Sequence, residues 1–199
     1  PSIIELSDLN GGNGFRLDGA ATNHRSGQSV RSAGDINGDG VDDLIIGAYG
    51  AMPAGVNSGS AYVVFGKNTE MAGTFNAQIE LSSLNGSTGF RLDGIVAGAR
   101  AGRAVSGAGD VNGDGFDDLI VGAYGVSSFT GSSYVVFGKA GGFASALALG
   151  TLDGSTGFRL DGIDSGDNAG RSVSSAGDVN NDGFDDLIIG AFGADPGGN

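Results

Sequence analysis

The sequence predicts an all-β fold: β-propeller blades of four antiparallel strands, here an incomplete set of about three blades. Three observations predict it. The stretch Asp110-Val111-Asn112-Gly113-Asp114-Gly115-Phe116-Asp117-Asp118-Leu119-Ile120-Val121-Gly122 occurs three times, with copies from Asp35 to Gly47 and from Asp178 to Gly190. A second marker, Phe15-Arg16-Leu17-Asp18-Gly19, returns at Phe90 and Phe158, and both markers are spaced by the same 75 and 68 residues. Between them lie short β-branched runs bounded by glycine, and the 41 glycines fall at fixed places in the repeat, as turn punctuation rather than low complexity.

The elements follow in chain order. Ile3 to Gly11 leads into the first Phe-Arg-Leu-Asp marker, and the same lead-in returns at 79–86 and 147–154. Four strands are predicted within a unit: A over 102–109, running into the acidic loop, B over 118–123, C over 133–138 and D over 158–161. The second unit is seven residues shorter than the first, three lost between B and C and four between C and D, so loops carry the variation. The predicted division is a closing strand D in 1–19, repeat 1 in 20–94, repeat 2 in 95–162 and a partial repeat 3 in 163–199. A solenoid or sandwich could be cut from the same strands, but a meander that repeats whole favours blades, and the period is too long for a WD-type unit. Eleven strands result, in the tally D, ABCD, ABCD, AB, the last unit stopping at Gly198-Asn199. Closing a ring takes at least about four blades, so the expectation is a piece of a longer chain or one whose edges are covered by other copies. The start at Pro1, without an initiator Met, points the same way.

The repeated loop carries chemistry. Asp35, Asn37 and Asp39 alternate, so a curled backbone can turn all three oxygens to one centre; Asp43 closes the far side and the Val41 carbonyl adds a main-chain oxygen. Gly38 and Gly40 permit the positive φ that the curl needs. Oxygens at positions one, three, five, seven and nine suit a hard divalent cation, calcium above all. An EF-hand is excluded, because its twelfth-position Glu is replaced by Ile46, Val121 and Ile189 inside apolar runs. Bare turns would use Asp, Asn and Gly interchangeably, whereas three copies keep Asp, Asn, Asp and Asp in phase.

Charge agrees with a cation. The net charge is -13, and 12 of the 23 acidic residues lie in the three loops, four in each. About three calcium ions would relieve that repulsion and couple metal to folding. Ten basic residues in an acidic chain disfavour nucleic acid, and no apolar run approaches a membrane span. The chain has no Cys, which fits metal clips and leaves the redox compartment open.

The order Gly170-Arg171-Ser172-Val173, Ala176-Gly177-Asp178-Val179-Asn180-Asn181-Asp182-Gly183, Asp186-Leu187-Ile188-Ile189-Gly190-Ala191 resembles the FG-GAP repeat of the integrin α-subunit head and its bacterial relatives. Tyr62-Val63-Val64-Phe65-Gly66 and Tyr134-Val135-Val136-Phe137-Gly138 extend the match. The resemblance implies blades of a larger extracellular or cell-surface propeller, with calcium in the A–B hairpins and ligand recognition on the opposite face. Position by position it selects Asp35, Asn37, Asp39, Val41 and Asp43; Asp110, Asn112, Asp114, Phe116 and Asp118; and Asp178, Asn180, Asp182, Phe184 and Asp186 as calcium ligands, the Val and Phe through their carbonyls. Asp42, Asp117 and Asp185 alternate away from the last ligand and are expected in solvent. One departure is that the family's Gly-Ala-Pro becomes Gly47-Ala48-Tyr49, Gly122-Ala123-Tyr124 and Gly190-Ala191-Phe192.

Catalysis is not expected. His24 is the lone His, with nothing in sequence to orient it, and metal accounts for the clustered carboxylates. The expectation is a non-enzymatic module for adhesion or protein-ligand binding, with a protein or glycan ligand on the face opposite the calcium loops. The alternatives are a scaffold segment of a surface or matrix protein and a lectin-like propeller, for which only Phe129, Tyr49 and Tyr124 offer aromatic platforms. Arg16, Arg91 and Arg159 recur in strand D and either pair with neighbouring acids or project to solvent, the solvated face being the expectation, and Asn85-Gly86-Ser87 matches a glycosylation sequon inside a recurring turn.

Overall fold

The computed structural model describes residues 3–195. The expected break at Gly198-Asn199 and the start at Pro1 lie outside the described residues. Strand β1 (Arg16–Asp18) comes first, then β2 (Ser29–Gly34), β3 (Asp43–Ala48), β4 (Ser60–Val64), β5 (Gln78–Glu80) and β6 (Gly89–Asp93). They are followed by β7 (Ala104–Gly109), β8 (Asp118–Ala123), β9 (Ser132–Val136), β10 (Ala146–Ala148), β11 (Gly157–Asp161), β12 (Ser172–Gly177) and β13 (Asp186–Gly190). Helix is confined to single turns such as α1 (Thr69–Ala72), while the segment Val126–Phe129 is a turn in which Ser127, Ser128 and Phe129 take left-handed φ of 50°, 57° and 66°. No described helix is long and apolar enough to cross a membrane.

Two antiparallel meanders, β2-β3-β4-β6 and β7-β8-β9-β11, are the expected A-B-C-D sheets, and β12-β13 form a further A–B hairpin. Strand β7 packs between β2 and β12, so the A strands stand side by side and the sheets stack face to face. The central strands β4 and β9 are buried along their whole length, which is why Ala61-Tyr62-Val63-Val64 and Tyr134-Val135-Val136 are continuously apolar. Between the first two sheets, Val63, Phe90 and Leu92 meet Val105, Leu119 and Val121 in one core. Each such side chain contributes about 1.5 to 3 kcal/mol by leaving water.

The architecture corrects the four-strand blade in one respect. Among the described residues there are thirteen strands, because β5 and β10 join the outer edges of β1 and β6 as parallel additions. Each comes from the C–D connection of the following unit. An aromatic stack holds it there: Phe143 lies flat on Phe90 at 4.2 Å, and Phe75 on Phe15 at 4.4 Å. The segment from 78 to 80 escapes a strand assignment because its parallel partner is about sixty residues away and no turn links the two. The strap covers an edge that would otherwise be free to pair.

Candidate calcium loops and the opposite face

Each A–B hairpin has a register shift at its loop end, between Ser32 and Gly34, Gly107 and Gly109, and Ser175 and Gly177. This bulge bends the strand into the acidic loop. Inside the first loop the Asp35 carboxylate accepts from the amides of Gly38, Asp39 and Gly40 at 2.8 to 3.0 Å, while Asn37 Oδ1 accepts from Asp39 and Asp39 Oδ1 from Val41. Gly38 and Gly40 take φ of 74° and 84°, as the curl requires. The second loop repeats these bonds from Asp110, Asn112 and Asp114, and the third repeats most of them from Asp178, Asn180 and Asp182.

Asp43 and Asp118, the ninth-position carboxylates, are wholly buried. Asp43 accepts from the amides of Ile36 at 3.1 Å and Gly66 at 2.8 Å; Asp118 does so from Val111 at 3.0 Å and Gly138 at 2.8 Å. Burial pushes the Asp43 carboxyl up to about 7 and that of Asp118 to about 6, with the neighbouring loop carboxylates adding to the rise. Asp178, on the exposed third loop, moves the other way, held low chiefly by the Gly183 amide. Asp186 is half-buried and accepts from the Val179 amide.

Among the described residues, no three or more His, Cys, Asp or Glu side chains form a group that could hold a metal. The loop carboxylates are turned onto their own backbone amides instead. The donor set nonetheless fits a hard cation: a carboxylate oxygen that accepts one amide keeps a further lone pair, and the carbonyls of Val41, Phe116 and Phe184 accept no hydrogen bond from described residues. Buried carboxylates whose acidity is suppressed by burial also mark a place where a cation would be favoured.

The expectation that Asp117 and Asp185 are solvated is wrong. Asp117 Oδ2 accepts from the Asp35 amide at 2.8 Å while its own amide donates to the Asp35 carbonyl at 3.4 Å; Asp185 repeats both bonds on Asp110 at 3.0 Å. Strand alternation does turn them from their own loop, but the next sheet, not water, lies there. A Cβ at Gly34 or Gly109, where φ is 68° and 74°, would overlap these carboxylates, so glycine is required before each clasped loop. Asp42 remains exposed.

Arg16, Arg91 and Arg159 lie on a largely solvated face, as expected, and each also forms an ion pair with the Asp two residues on: Asp18 and Asp93 at 2.6 Å and Asp161 at 2.8 Å. Residues i and i+2 share one face of a strand, which makes the pairing local. Asn85 Oδ1 accepts from Ser87 and Thr88, the turn reading of that sequon. His24 Nδ1 is buried and has no hydrogen-bond partner among the described residues.

At the other end of the sheets, the B–C and D–A connections form the opposite face. Tyr49 and Tyr124 sit here, but arginines cover their rings: Arg25 and Arg103 lie over Tyr49, and Arg100 and Arg171 over Tyr124. Neither ring is a free sugar platform. Phe129 remains 42% exposed.

The model of the FG-GAP repeat matches residues 26–64, 101–136 and 169–199. The chain is similar to Integrin alpha-V of Gallus gallus, 36% identical over 173 residues that cover 85% of this chain and 15% of that protein. It is also similar to Phosphatidylinositol-glycan-specific phospholipase D of Bos taurus, 34% identical over 87% of this chain and 19% of the relative. Integrin alpha-5 of Xenopus laevis is 31% identical over 85% of this chain and 15% of its own length. The chain thus spans less than a fifth of the length of these relatives.

Proposed function

The chain belongs to the FG-GAP repeat family, and on that premise we propose that it is a calcium-stabilised, non-catalytic propeller segment that works outside the cell in adhesion or protein-ligand binding. The observation that carries the reading is the recurrence of one oxygen donor order in three loops, with a buried carboxylate at its end in the first two. Calcium would be held by Asp35, Asn37, Asp39, Asp43 and the Val41 carbonyl, and by their counterparts at 110–118 and 178–186. Bound there, it supplies positive charge to carboxylates that the fold buries or crowds. Repeat 1 is taken as 20–94, repeat 2 as 95–162 and a partial repeat 3 as 163–199, after a closing strand in 1–19; the two meanders support this division.

The name of the phospholipase relative raises an enzymatic reading, but the chain covers 19% of that protein. Its one His has no orienting acid among the described residues, and the loop carboxylates are accounted for by the calcium reading. A scaffold role would share the calcium dependence and lack a ligand. A lectin role is weakened by the covered tyrosines. Calorimetric titration of the metal-stripped chain with calcium, with a thermal melt before and after, tests the proposal. About three sites and a raised Tm are expected. A folded chain that takes up no calcium would reduce the loops to turns.

A further inference from the structure

The arginines divide unevenly. Of the eight in the chain, Arg16, Arg91 and Arg159 pair with aspartates, and Arg31 donates to the Val30 carbonyl. The other four, Arg25, Arg100, Arg103 and Arg171, line one cavity of about 320 Å³ with Tyr49, Tyr124 and Asn57. No acidic residue lines it, in a chain of net charge -13. Since Tyr49 follows β3 and Asp43 begins it, the cavity lies about 20 Å from the acidic loop, one strand length.

The cluster is built rather than incidental. Arg25 and Arg100 are 75 residues apart, the repeat spacing, and both take a left-handed backbone, with φ of 58° and 57°. Arg25 Nη1 donates to the Tyr49 hydroxyl and Arg100 Nη1 to that of Tyr124, while Arg103 and Arg171, from the following units, cover the same rings. Each tyrosine therefore fixes two guanidiniums, one from each side of a junction between sheets. The aromatic faces offset only part of the repulsion among four like charges. Guanidinium donors not used on tyrosine remain free to pair, and their planar forks match an oxyanion.

We propose that this cavity binds a compact oxyanion, a carboxylate group carried either by a small organic acid or by an acidic side chain of a partner protein. The inference rests on the reading that this face recognises a ligand, and it gives that ligand a chemistry. An extended polyanion is disfavoured, because beyond the cavity it would meet the field of the 23 acidic residues.

The calcium-loaded full chain is titrated with succinate at low ionic strength, following both heat and the arginine Nε–Hε resonances. One saturable site is expected, with the Arg103 and Arg171 signals shifting together. Combining Arg103→Gln with Arg171→Gln should weaken binding about tenfold or more, and Arg31→Gln should leave it unchanged. Arg103→Lys, which keeps the charge and loses the fork, should weaken it less than Arg103→Gln. A short neutral-ended peptide with one Glu separates the sources: tighter binding than succinate assigns the site to a protein side chain, and weaker binding to a small acid. Absence of succinate binding, equal loss in Arg31→Gln, or preference for dextran sulfate would overturn the proposal. Calcium uptake is measured on the same sample. Normal uptake without succinate binding removes the anion site alone, whereas succinate binding without calcium uptake removes the calcium reading alone.

Discussion

The first and third acidic loops have the same donors in the same order, yet they occupy different environments. Asp43 is wholly buried, and the Asp35 amide is capped by Asp117 from the next sheet. Asp186 is half-buried, and among the described residues no carboxylate crosses to the Asp178 amide, nor would any atom meet a Cβ at Gly177. The second loop sides with the first, clasped by Asp185. In this fold a loop is thus completed by its neighbour. Its own residues make the curl, and the adjoining sheet buries the carboxylate and seals the bulge.

The strongest way to break that comparison is to add a methyl group under the clasp. Gly109→Ala places a side chain at φ 74° and displaces Asp185, combining left-handed strain of about 1 to 2 kcal/mol with loss of a charge-assisted bond of about 1.5 to 3 kcal/mol. Gly177→Ala has the strain alone. Urea melts should therefore show Gly109→Ala costing about 2 kcal/mol more than its counterpart, and equal costs would mean that the clasp contributes nothing.

Removing the clasp itself comes next. Asp117→Ala should cost about 1.5 to 3 kcal/mol, whereas Asp42→Ala, at the same loop position but exposed, should stay within about 0.5 kcal/mol. Equivalent melts for the two variants would return Asp117 to the solvated role that strand alternation suggests.

Acidity sharpens the same contrast. In the metal-stripped chain Asp43 and Asp118 hold protons up to about 7 and about 6, above the ordinary 3.8, so their contribution is fully present below pH 3.8 and is lost as pH rises through those values. Asp153 works in the opposite sense. The hydroxyls and amides of Ser155 and Thr156 hold it down to about 2, so its contribution is present above 3.8 and lost as pH falls toward 2. Stability measured in chelator should pass through a maximum near pH 4, and calcium should restore the neutral side. A metal-free chain that grows more stable from pH 4 to 7 would contradict the buried loops.

The smallest effect is expected at the outer edge. Arg159 and its partner Asp161 are each about half exposed, so Arg159→Ala should change stability by no more than about 0.5 kcal/mol. A larger loss in a thermal melt would show that the edge pair holds β11 in place.

Much of this molecule was legible before any coordinates. The 75 and 68 spacing determined the repeat, the glycine-bounded β-branched runs determined strands A to D, and the loop residues determined a local curl made from their own side chains and amides. The runs and the curl are patterns within a few residues, which a linear sequence can specify, and the spacing says how often they recur. Tertiary structure alone decided what crosses from unit to unit. The parallel straps β5 and β10, the Phe143 stack on Phe90, the Asp117 clasp and the arginine cavity join residues about fifty or more positions apart in different units of the repeat. Their signals were present, since Phe75 and Phe143 keep the 68 spacing, as Asp117 and Asp185 do. Periodicity says that such residues are equivalent. Only the stacking of one sheet on the next determines what each of them touches, and so whether a given carboxylate faces water, a backbone amide or a cation.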